Sequence, residues 1–259
     1  MDFSRVDGET ACWSLIPPNH MSAPTREIFR EDPYLRECSA EVCASSSDGV
    51  VLDQTVFYAE GGGQPGDCGV LEDADGSAYA VTTVLRRADD TLLHRLADGV
   101  SPPPVGTRVT ARIDWETRHR HMRMHTCLHL LCALIPHPVT GGAISRDKGR
   151  LDFDMAAGVD KLALEAALNA LIEADHPVGT RHISDEALAA NPALVRTLAV
   201  APPTGRGEVR LVAVGEVDLQ PCGGTHVART GEIGRVLIGK VENKGRQNRR
   251  VTVLFAPEA

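Results

Sequence analysis

This sequence lacks the features by which membrane-spanning and secreted proteins are recognised. No apolar run approaches the length of about 20 residues that a transmembrane helix needs. The N-terminus, MDFSRVDGET, has no basic segment followed by an apolar one, as a signal peptide would. The seven cysteines are odd in number and irregularly spaced, unlike a disulfide framework. These absences predict a soluble, cytoplasmic protein with no membrane partner.

Aromatic residues and excess positive charge are also scarce. Only 4% of the residues are Phe, Trp or Tyr, so Leu, Val, Ile and Ala must fill most of any core. A net charge of -8 excludes a general nucleic-acid coat protein, which would be basic. Any contact with nucleic acid must therefore come from local basic patches. The length of 259 residues allows two modest domains or one large one.

The most informative stretch runs from Trp115 to Leu134 and has the character of a helix. Within it, His125 and His129 are four residues apart, so both imidazoles leave the same helix face, about 6 Å apart along the axis. This spacing presents two nitrogen ligands to one metal ion. Far downstream, Cys222 and His226 in PCGGTH offer a sulfur and a third nitrogen. The two pairs together predict a zinc site.

Each half of this pattern has a simpler interpretation when it stands alone. An isolated HxxxH is more often structural than metal-binding, and a metalloprotease would carry a glutamate where this chain has Thr126. Cys222 alone is compatible with an inert buried thiol. The two glycines of CGGTH, however, allow a tight turn that aims both flanking side chains at one point.

Strand-like segments dominate the first part of the chain. Alternating segments separated by turn residues such as Asp48-Gly49 predict a small β-barrel-like or sandwich domain over residues 1–100. The run Gly61-Gly62-Gly63-Gln64 interrupts it and fits no regular element. Three prolines, Pro102 to Pro104, then mark a connection.

The remainder, residues 101–259, is predicted to be a two-layer α+β domain. Asp114 is a suitable N-cap for the histidine helix, and an apolar stripe from Leu162 to Leu171 predicts a second one. The segment TGGAISRDKGRLDFD predicts a glycine turn followed by strands. A closing hairpin is expected around Lys244–Asn248. These elements predict one sheet layered with two main helices.

Several motifs resemble a known family. HTCLHLL, CGGTHVARTGEIG and the hairpin with KGRQNRR are similar to the editing domain shared by alanyl-tRNA synthetases and the free-standing AlaX proteins. The upstream LDQTVFYAEGGGQPGDCG resembles the glycine-rich motif that precedes this domain. The resemblance runs from about Asp32 to Phe255 and suggests a medium-length AlaX protein. Two departures are Cys127, where a small alanine is common, and HPVTGG after the helix.

The resemblance implies a trans-editing hydrolase that deacylates mischarged tRNA(Ala), with Ser-tRNA(Ala) as the expected substrate and Gly-tRNA(Ala) as a second. Zinc can polarise the ester carbonyl or lower the pKa of a bound water from about 15.7 towards 7. A zinc-bound water is then the catalytic group, with no single protein base. Four protein ligands, however, would close a structural tetrahedron, so a zinc that mainly organises the pocket remains an alternative.

Four residues are predicted to bind the substrate. By resemblance, the Thr126 hydroxyl helps to recognise the serine hydroxyl; the alternative is a helix threonine that bonds its own backbone. The loop residues Gly62, Gly63 and Gln64 are expected to lie over the zinc pocket and grip the 3′ end of the tRNA. The alternative for this loop is a hairpin turn.

Basic residues near the site are predicted to contact RNA phosphates; they are Arg118, Arg120, Lys244, Arg246 and Arg249. The alternative is a solvated charged surface. Mischarged tRNA(Ala) is the expected partner, DNA is not, and the oligomeric state is left open. Two rival functions are a non-catalytic RNA-binding module with a structural zinc and a hydrolase of small esters or amides.

Overall fold

The computed structural model describes residues 24–197 and 207–257, so the segment considered for a signal peptide lies outside the described part. Two short elements come first, strand β1 (Arg26–Glu27) and helix α1 (Ile28–Glu31). The strands that follow are β2 (Glu37–Ser46), β3 (Gly49–Leu52), β4 (Gln54–Thr55), β5 (Gly69–Asp73), β6 (Ala78–Arg86), β7 (Leu92–Leu96) and β8 (Arg108–Ile113).

Six of these strands close into a barrel in the order β2-β3-β7-β6-β5-β8. Buried aliphatic side chains such as Val42, Leu71 and Val84 fill it, together with Phe57. Closure removes the unpaired edges that an open sheet would expose. The expectation of a small barrel is thereby confirmed. Its last strand, β8, lies beyond residue 100 and completes the barrel by pairing with both β2 and β5.

Helix α2 (Trp115–Leu134) follows the barrel directly. Asp114 caps its N-terminus by accepting a hydrogen bond from the Thr117 backbone N–H at 3.1 Å, as its sequence position predicts. The helix ends just before Pro136, which cannot continue it. Most of its second half is buried, because it packs against the part of the chain that follows it.

The described residues that follow α2 form two sheets, where the sequence pattern predicts a single one. One has the strand order β14-β15-β10-β9 and the other β11-β12-β13. Their strands are β9 (Val139–Ile144), β10 (Lys148–Asp154), β11 (Val178–Ser184), β12 (Glu208–Val214), β13 (Asp218–Pro221), β14 (Val236–Gly245) and β15 (Asn248–Phe255). The helices are α3 (Lys161–Glu173), α4 (Asp185–Ala189) and two 3-10 turns, Pro192–Leu194 and Thr230–Ile233.

The predicted glycine turn at Gly141-Gly142 is wrong, because both glycines lie inside strand β9. Space between strands explains their presence. A Cβ on Gly141 would lie 3.2 Å from the Asp152 carboxylate, and one on Gly142 would lie 3.0 Å from a Leu151 methyl group. Glycine here allows β9 to lie close to the side chains of β10.

Helices α2 and α3 and the four-stranded sheet share one core. Leu128, Leu131, Phe153, Leu168 and Val253 are among its buried residues. Side chains of α3 also cover the edge strand β14, since Glu165 and Asn169 accept hydrogen bonds from its backbone N–H groups at 2.8 and 3.0 Å. Throughout residues 24–197 and 207–257, each helix is too short or too polar to cross a lipid bilayer.

Candidate metal centre

Four side chains that are distant in sequence meet at one point. His125 and His129 extend from the same face of α2, and Cys222 and His226 come from the loop after β13. Their ligand atoms all lie within 4.8 Å of one another. The Cys222 sulfur lies 3.5 Å from His125 Nε2 and 3.3 Å from His226 Nε2. Bonds of about 2.3 Å to sulfur and 2.0 Å to nitrogen at tetrahedral angles give neighbouring ligand atoms about this separation. The four residues can therefore hold a metal ion.

A second layer of side chains orients the three imidazoles. The Nδ1 atom of His125 lies 2.8 Å from Gln64 Oε1, that of His129 lies 3.0 Å from Asp218 Oδ2, and that of His226 lies 3.1 Å from Thr126 Oγ1. Each oxygen can accept a proton carried by Nδ1, which leaves Nε2 as the atom available for a ligand bond. Such partners fix the tautomer and the ring orientation of metal-binding histidines.

The electrostatics of the cluster favour an anionic sulfur. Burial alone would raise the pKa of the Cys222 thiol, but the imidazoles of His125 and His226 outweigh it and hold that pKa well below its ordinary value. Burial lowers the pKa of His226 well below the usual range. It acts in the same direction on His129, where hydrogen bonds to Asp218 and Cys222 outweigh it and raise the pKa to about 9. A thiolate facing imidazoles is the donor set that soft divalent metals prefer.

A side chain of strand β12 holds the CGGTH loop in place through the backbone carbonyls of the loop. Arg210 donates from Nη1 to the carbonyl oxygens of Cys222 and Gly224 at 2.6 and 3.1 Å. A Cβ on Gly224 would collide with the His125 ring, so this close approach requires glycine. The loop therefore tolerates no side chain at the point where it passes the first histidine.

The glycine loop Gly61–Gln64 reaches the centre from the barrel side. Gln64 accepts a hydrogen bond from the Thr225 backbone N–H at 3.1 Å and donates to the Thr225 hydroxyl at 2.8 Å. Gly63 accepts one from the backbone N–H of Ile144 in β9 at 2.8 Å. Its φ of +83° and the Gly142 carbonyl, which a Cβ would approach to 2.8 Å, both require glycine. The loop thus contacts both the metal centre and the four-stranded sheet.

Two pockets meet at the centre. A pocket of about 380 Å³ lies towards the barrel, with Tyr58, Arg30, Arg86 and Arg196 in its wall. A second of about 190 Å³ lies towards the four-stranded sheet; its wall includes Leu128, Cys132, Val139, Gly142 and Gln220. His125, His129 and Gly62 border both. The centre is therefore open to a small, mostly apolar cavity and to a larger one with cationic walls.

Thr126 has a different position from the one expected. It is fully buried and contributes to neither pocket wall. Its hydroxyl lies 3.0 Å from the Met122 carbonyl and 3.1 Å from His226 Nδ1, and it accepts from the Val227 N–H at 3.3 Å. A hydroxyl so occupied has no free bond for a substrate. The structure thus corrects the expected role: Thr126 both bonds its own helix and orients a histidine of the centre.

The expected RNA contacts fall into two groups. Arg118 is fully buried, with its guanidinium against Asp67 and the carbonyls of Val56 and Pro33, so it cannot reach a phosphate and that expectation is corrected. The remaining four lie at or near the surface. Arg120 pairs with Asp147 at 3.1 Å, Arg249 bonds nearby carbonyls, and Lys244 and Arg246 are exposed.

Asp218 and Gln220 belong to the candidate site, but the motifs in the sequence do not single them out. Asp218 contacts His129, and Gln220 donates to Asp218 at 2.8 Å while lining both pockets. In a strand over VDLQPC, side chains alternate between two faces, so residues 218, 220 and 222 share one face. This alternation is the pattern from which Asp218 and Gln220 can be predicted as neighbours of Cys222.

The chain is similar in sequence to several known proteins. Residues 209–252 match the family described as threonyl and alanyl tRNA synthetase second additional domain, and residues 20–117 match class II (A) tRNA synthetases. The alanyl-tRNA editing protein AlaX-M of Methanosarcina acetivorans is 38% identical over 88% of this chain and 97% of its own length. AlaX-M of Saccharolobus solfataricus is 32% identical over 90% of this chain and 100% of its own length. The alanine–tRNA ligase of Pyrobaculum arsenaticum is 40% identical over 84% of this chain but 25% of its own length.

Proposed function

This chain belongs to the AlaX-M family of alanyl-tRNA editing proteins, and we propose that it hydrolyses the ester of mischarged tRNA(Ala) at the His125–His129–Cys222–His226 centre. The observation that carries the proposal is the pair of pockets that meet at the centre. An aminoacyl-tRNA ester joins a small amino acid to a much larger terminal adenosine. The smaller pocket suits the first group and the larger pocket suits the second.

We propose zinc as the resident metal, because one thiolate and three imidazoles form a donor set typical of Zn²⁺. When bound, zinc polarises a carbonyl or lowers the pKa of a bound water. The chain's own residues prepare the donors. Gln64, Asp218 and Thr126 hold a proton at Nδ1 of the three histidines, which keeps each Nε2 directed at the centre. No protein side chain is assigned as a general base.

The larger pocket is proposed to hold the 3′ end of the tRNA. Arg30 and Arg86 in its wall are both tied to Glu27, at 2.6 and 2.8 Å, which fixes their position. Arg196 also lines this pocket and donates to the Cys132 carbonyl at 2.9 Å. Preorganised guanidinium groups are suitable donors for a phosphate. The loop residues Gly62, Gly63 and Gln64 remain proposed substrate contacts because they join this pocket to the centre.

Serine is the proposed side chain for the smaller pocket, with glycine as a second substrate. Its polar side chains include Gln220, Thr197 and Cys132. Since the Thr126 hydroxyl is occupied, we propose that Gln220 bonds the serine hydroxyl. A site built to hydrogen-bond a hydroxyl discriminates by about 10⁴-fold against an analogue that lacks it, because its polar group would be left unpaired. Alanine is that analogue.

One observation favours a second candidate, an RNA-binding module with a structural metal. Four protein ligands complete a tetrahedron, whereas catalytic zinc usually has three ligands and an open position. The two pockets at the centre support the enzyme instead, because a purely structural site needs no cavity beside it.

A deacylation panel separates the two candidates. Purified protein is incubated with Ser-, Gly- and Ala-tRNA(Ala), with Thr-tRNA(Thr) as a control. The enzyme hydrolyses Ser-tRNA(Ala) well and Ala-tRNA(Ala) poorly; the binding module hydrolyses none. Cys222→Ala should abolish turnover and metal content together. Cys43→Ala, which removes a half-buried thiol from barrel strand β2, should change neither.

The two parts of the chain are proposed to act together. In this proposal the barrel and its glycine loop bind the substrate, and the remaining α+β part binds the metal and carries out hydrolysis. The proposed division lies near residue 100, with β8 completing the barrel beyond it. We place this activity in the cytoplasm, where aminoacyl-tRNA is consumed by translation.

A further inference from the structure

A basic groove lies on the outer face of the four-stranded sheet, apart from the metal centre. Its volume is about 670 Å³, larger than either pocket at the centre. Residues of β10 alternate between buried and accessible positions, so Gly149, Leu151 and Phe153 face the core while Lys148 and Arg150 face outward. Lys161, Lys240 and Arg250 add further cations to the lining, Glu242 is its one acid, and Ile144 and Leu254 are among its apolar members. We refer to it as the lysine groove.

The distribution of lysine over the chain singles out this groove. Only four lysines are present, at positions 148, 161, 240 and 244. The first three line the groove, and the fourth belongs to strand β14, which borders it. They come from three elements that are far apart in sequence, namely β10, α3 and β14. A chain that otherwise uses arginine as its cation thus gathers its lysines at one place.

Lys244 pairs with Glu242 at 3.6 Å, but the three lysines that line the groove form no ion pair with a described residue. Within the described part of the chain, no carboxylate oxygen lies within 4.0 Å of the Nζ atom of Lys148, Lys161 or Lys240. The two arginines differ, since Arg150 and Arg250 share the carboxylate of Asp152 at 2.9 and 2.7 Å. The three lysines therefore present free ammonium groups on a protein whose net charge is -8.

The groove also adjoins the proposed amino-acid pocket. Ala143 and Ile144 of strand β9 line both cavities, so a single strand separates them. A tRNA is far larger than either pocket, so the body of a tRNA that places its ester at the centre can also cover this neighbouring groove. Lysine ammonium groups act as compact point charges for phosphates, and an acidic protein gains affinity for RNA only from such local patches.

We propose that the lysine groove binds the sugar–phosphate backbone of the tRNA whose 3′ end lies in the metal centre. The inference rests on the proposed function for the identity of the RNA. Charge complementarity carries it: three lysines without an ion pair among the described residues, in a groove that adjoins the ester-binding pocket, match a polyanion. Phosphate contacts hold the tRNA in register and carry no sequence information, so base recognition must lie elsewhere.

The test compares two esters with one protein. The substrates are full-length Ser-tRNA(Ala) and the seryl ester of the trinucleotide CCA, which is too short to reach the groove. The test variant is Lys148→Gln/Lys161→Gln/Lys240→Gln. The same three positions changed to arginine keep the charge. A matched control, Arg87→Gln/Arg95→Gln/Arg108→Gln, removes three exposed cations from the barrel.

The glutamine variant should lower kcat/KM for full-length tRNA by about 10-fold or more, mainly through KM, and leave the CCA ester unaffected. The slope of log kcat/KM against log salt should become shallower by about 2 to 3, since each lost duplex phosphate contact removes about 0.9. The arginine variant and the barrel control should retain wild-type values. The Kd for uncharged tRNA(Ala) should rise with the glutamine variant alone.

Three results would overturn the proposal that the lysine groove binds tRNA. One is an unchanged Kd and salt slope in the glutamine variant. Another is an equal loss with the barrel control. The third is a change in sedimentation coefficient without a change in tRNA affinity, which would make the face a contact between copies of the chain. If the wild-type protein hydrolyses neither ester, the proposed function fails. The Kd for uncharged tRNA then still shows whether the lysine groove binds RNA.

Discussion

At the scale of a single residue, the Thr126 hydroxyl makes three hydrogen bonds, and Thr126 directly follows His125 in the sequence. If His226 binds a metal through Nε2, its Nδ1 carries a proton and the Thr126 oxygen accepts it. The hydroxyl hydrogen then points to the Met122 carbonyl. Thr126 thus couples the turn of α2 that carries the first histidine to the ring of the last.

Replacing Thr126 should therefore affect metal binding first. Thr126→Val keeps the shape but leaves the buried Nδ1–H of His226 unpaired, so metal affinity should fall by about 10- to 100-fold. Thr126→Ser keeps the hydroxyl and should stay close to wild type. Competition with a chromogenic chelator measures both. Unchanged metal affinity in the valine variant, with altered selectivity for serine over alanine, would restore Thr126 as a substrate contact.

His94 is a buried histidine with no part in the metal centre. It is fully enclosed in the barrel, with Nε2 2.8 Å from the Thr55 hydroxyl, and its Nδ1 has no hydrogen-bond partner among the described residues. Burial lowers the pKa of His94 to about 4 from an ordinary value of 6.5. The unfolded chain therefore binds a proton at a higher pH than the folded one does.

The barrel should consequently lose stability on acidification. The loss begins as pH falls through about 6.5, where unfolded His94 takes up its proton, and levels off below about 4, where the folded form does too; its full size is about 3 kcal/mol. His94→Gln should show a shallower fall in the free energy of unfolding over this range. Urea titrations at several pH values measure it. Parallel curves for wild type and variant would mean that His94 does not titrate differently in the folded and unfolded chains.

At the scale of elements, Arg118 joins helix α2 to the barrel. Its guanidinium donates to Asp67 and to the Val56 carbonyl, while Asp67 also accepts from the Tyr58 backbone N–H at 2.7 Å. The side chains of Arg118 and Asp67 are 0% and 1% exposed, so neither charge has water as an alternative partner. The pair fixes where α2 begins relative to the loop before β5.

Breaking this pair should be costly in stability. Arg118→Met leaves the Asp67 carboxylate buried and uncompensated, which should lower the free energy of unfolding by about 3 to 5 kcal/mol. Arg118→Met/Asp67→Asn should regain part of the loss, because it removes the orphaned charge. Arg120→Gln, in contrast, breaks partly exposed pairs and should cost about 1 kcal/mol at most. Chemical denaturation compares the three. A stable Arg118→Met protein with weakened tRNA binding would contradict the structural role.

The proposed role of the glycine loop in substrate binding can be tested by adding a side chain at Gly62. Gly62 has φ of +58°, and a Cβ added there would meet no atom within 4 Å, yet Gly62 borders both pockets. Gly62→Val should slow deacylation by about 10-fold or more, because a displaced ester loses its reactive geometry. Gly76→Val is a matched control, since Gly76 has φ of +82° and equally open surroundings in the β5–β6 turn. Equal rates in the two variants would make the loop only a turn.

Sequence alone predicts the elements better than their contacts. The spacing of His125 and His129 and of Cys222 and His226 predicts the cluster because helix and turn geometry are local. Which partner a side chain contacts is not a local property, and this is why the structure places Thr126 and Arg118 in contacts other than the expected ones. The turn predicted at Gly141 and Gly142 is wrong for the same reason: the closeness of β9 to β10 is a tertiary property. Asp218 was recoverable from strand alternation with Cys222.

At the scale of the whole molecule, the barrel and the α+β part complete one centre between them. Gln64, which precedes the fifth strand, orients His125 of α2, while Asp218 and Cys222 arrive from the three-stranded sheet. Arg118 ties the same two parts together below the centre. The two pockets at the centre are lined by residues of both parts, so the barrel is a component of the candidate site.

The central claim is that this centre hydrolyses mischarged tRNA(Ala) with the help of a bound metal. The most direct measurement is the single-turnover rate constant for Ser-tRNA(Ala) deacylation by protein as purified, after chelation, and after zinc is returned. Circular dichroism of the chelated sample establishes that it stays folded. We expect rapid hydrolysis, a fall to the spontaneous rate on chelation, and recovery with about one equivalent of Zn²⁺ per chain, as one four-ligand centre requires. A folded, metal-free protein that hydrolyses the ester at the original rate would contradict the account.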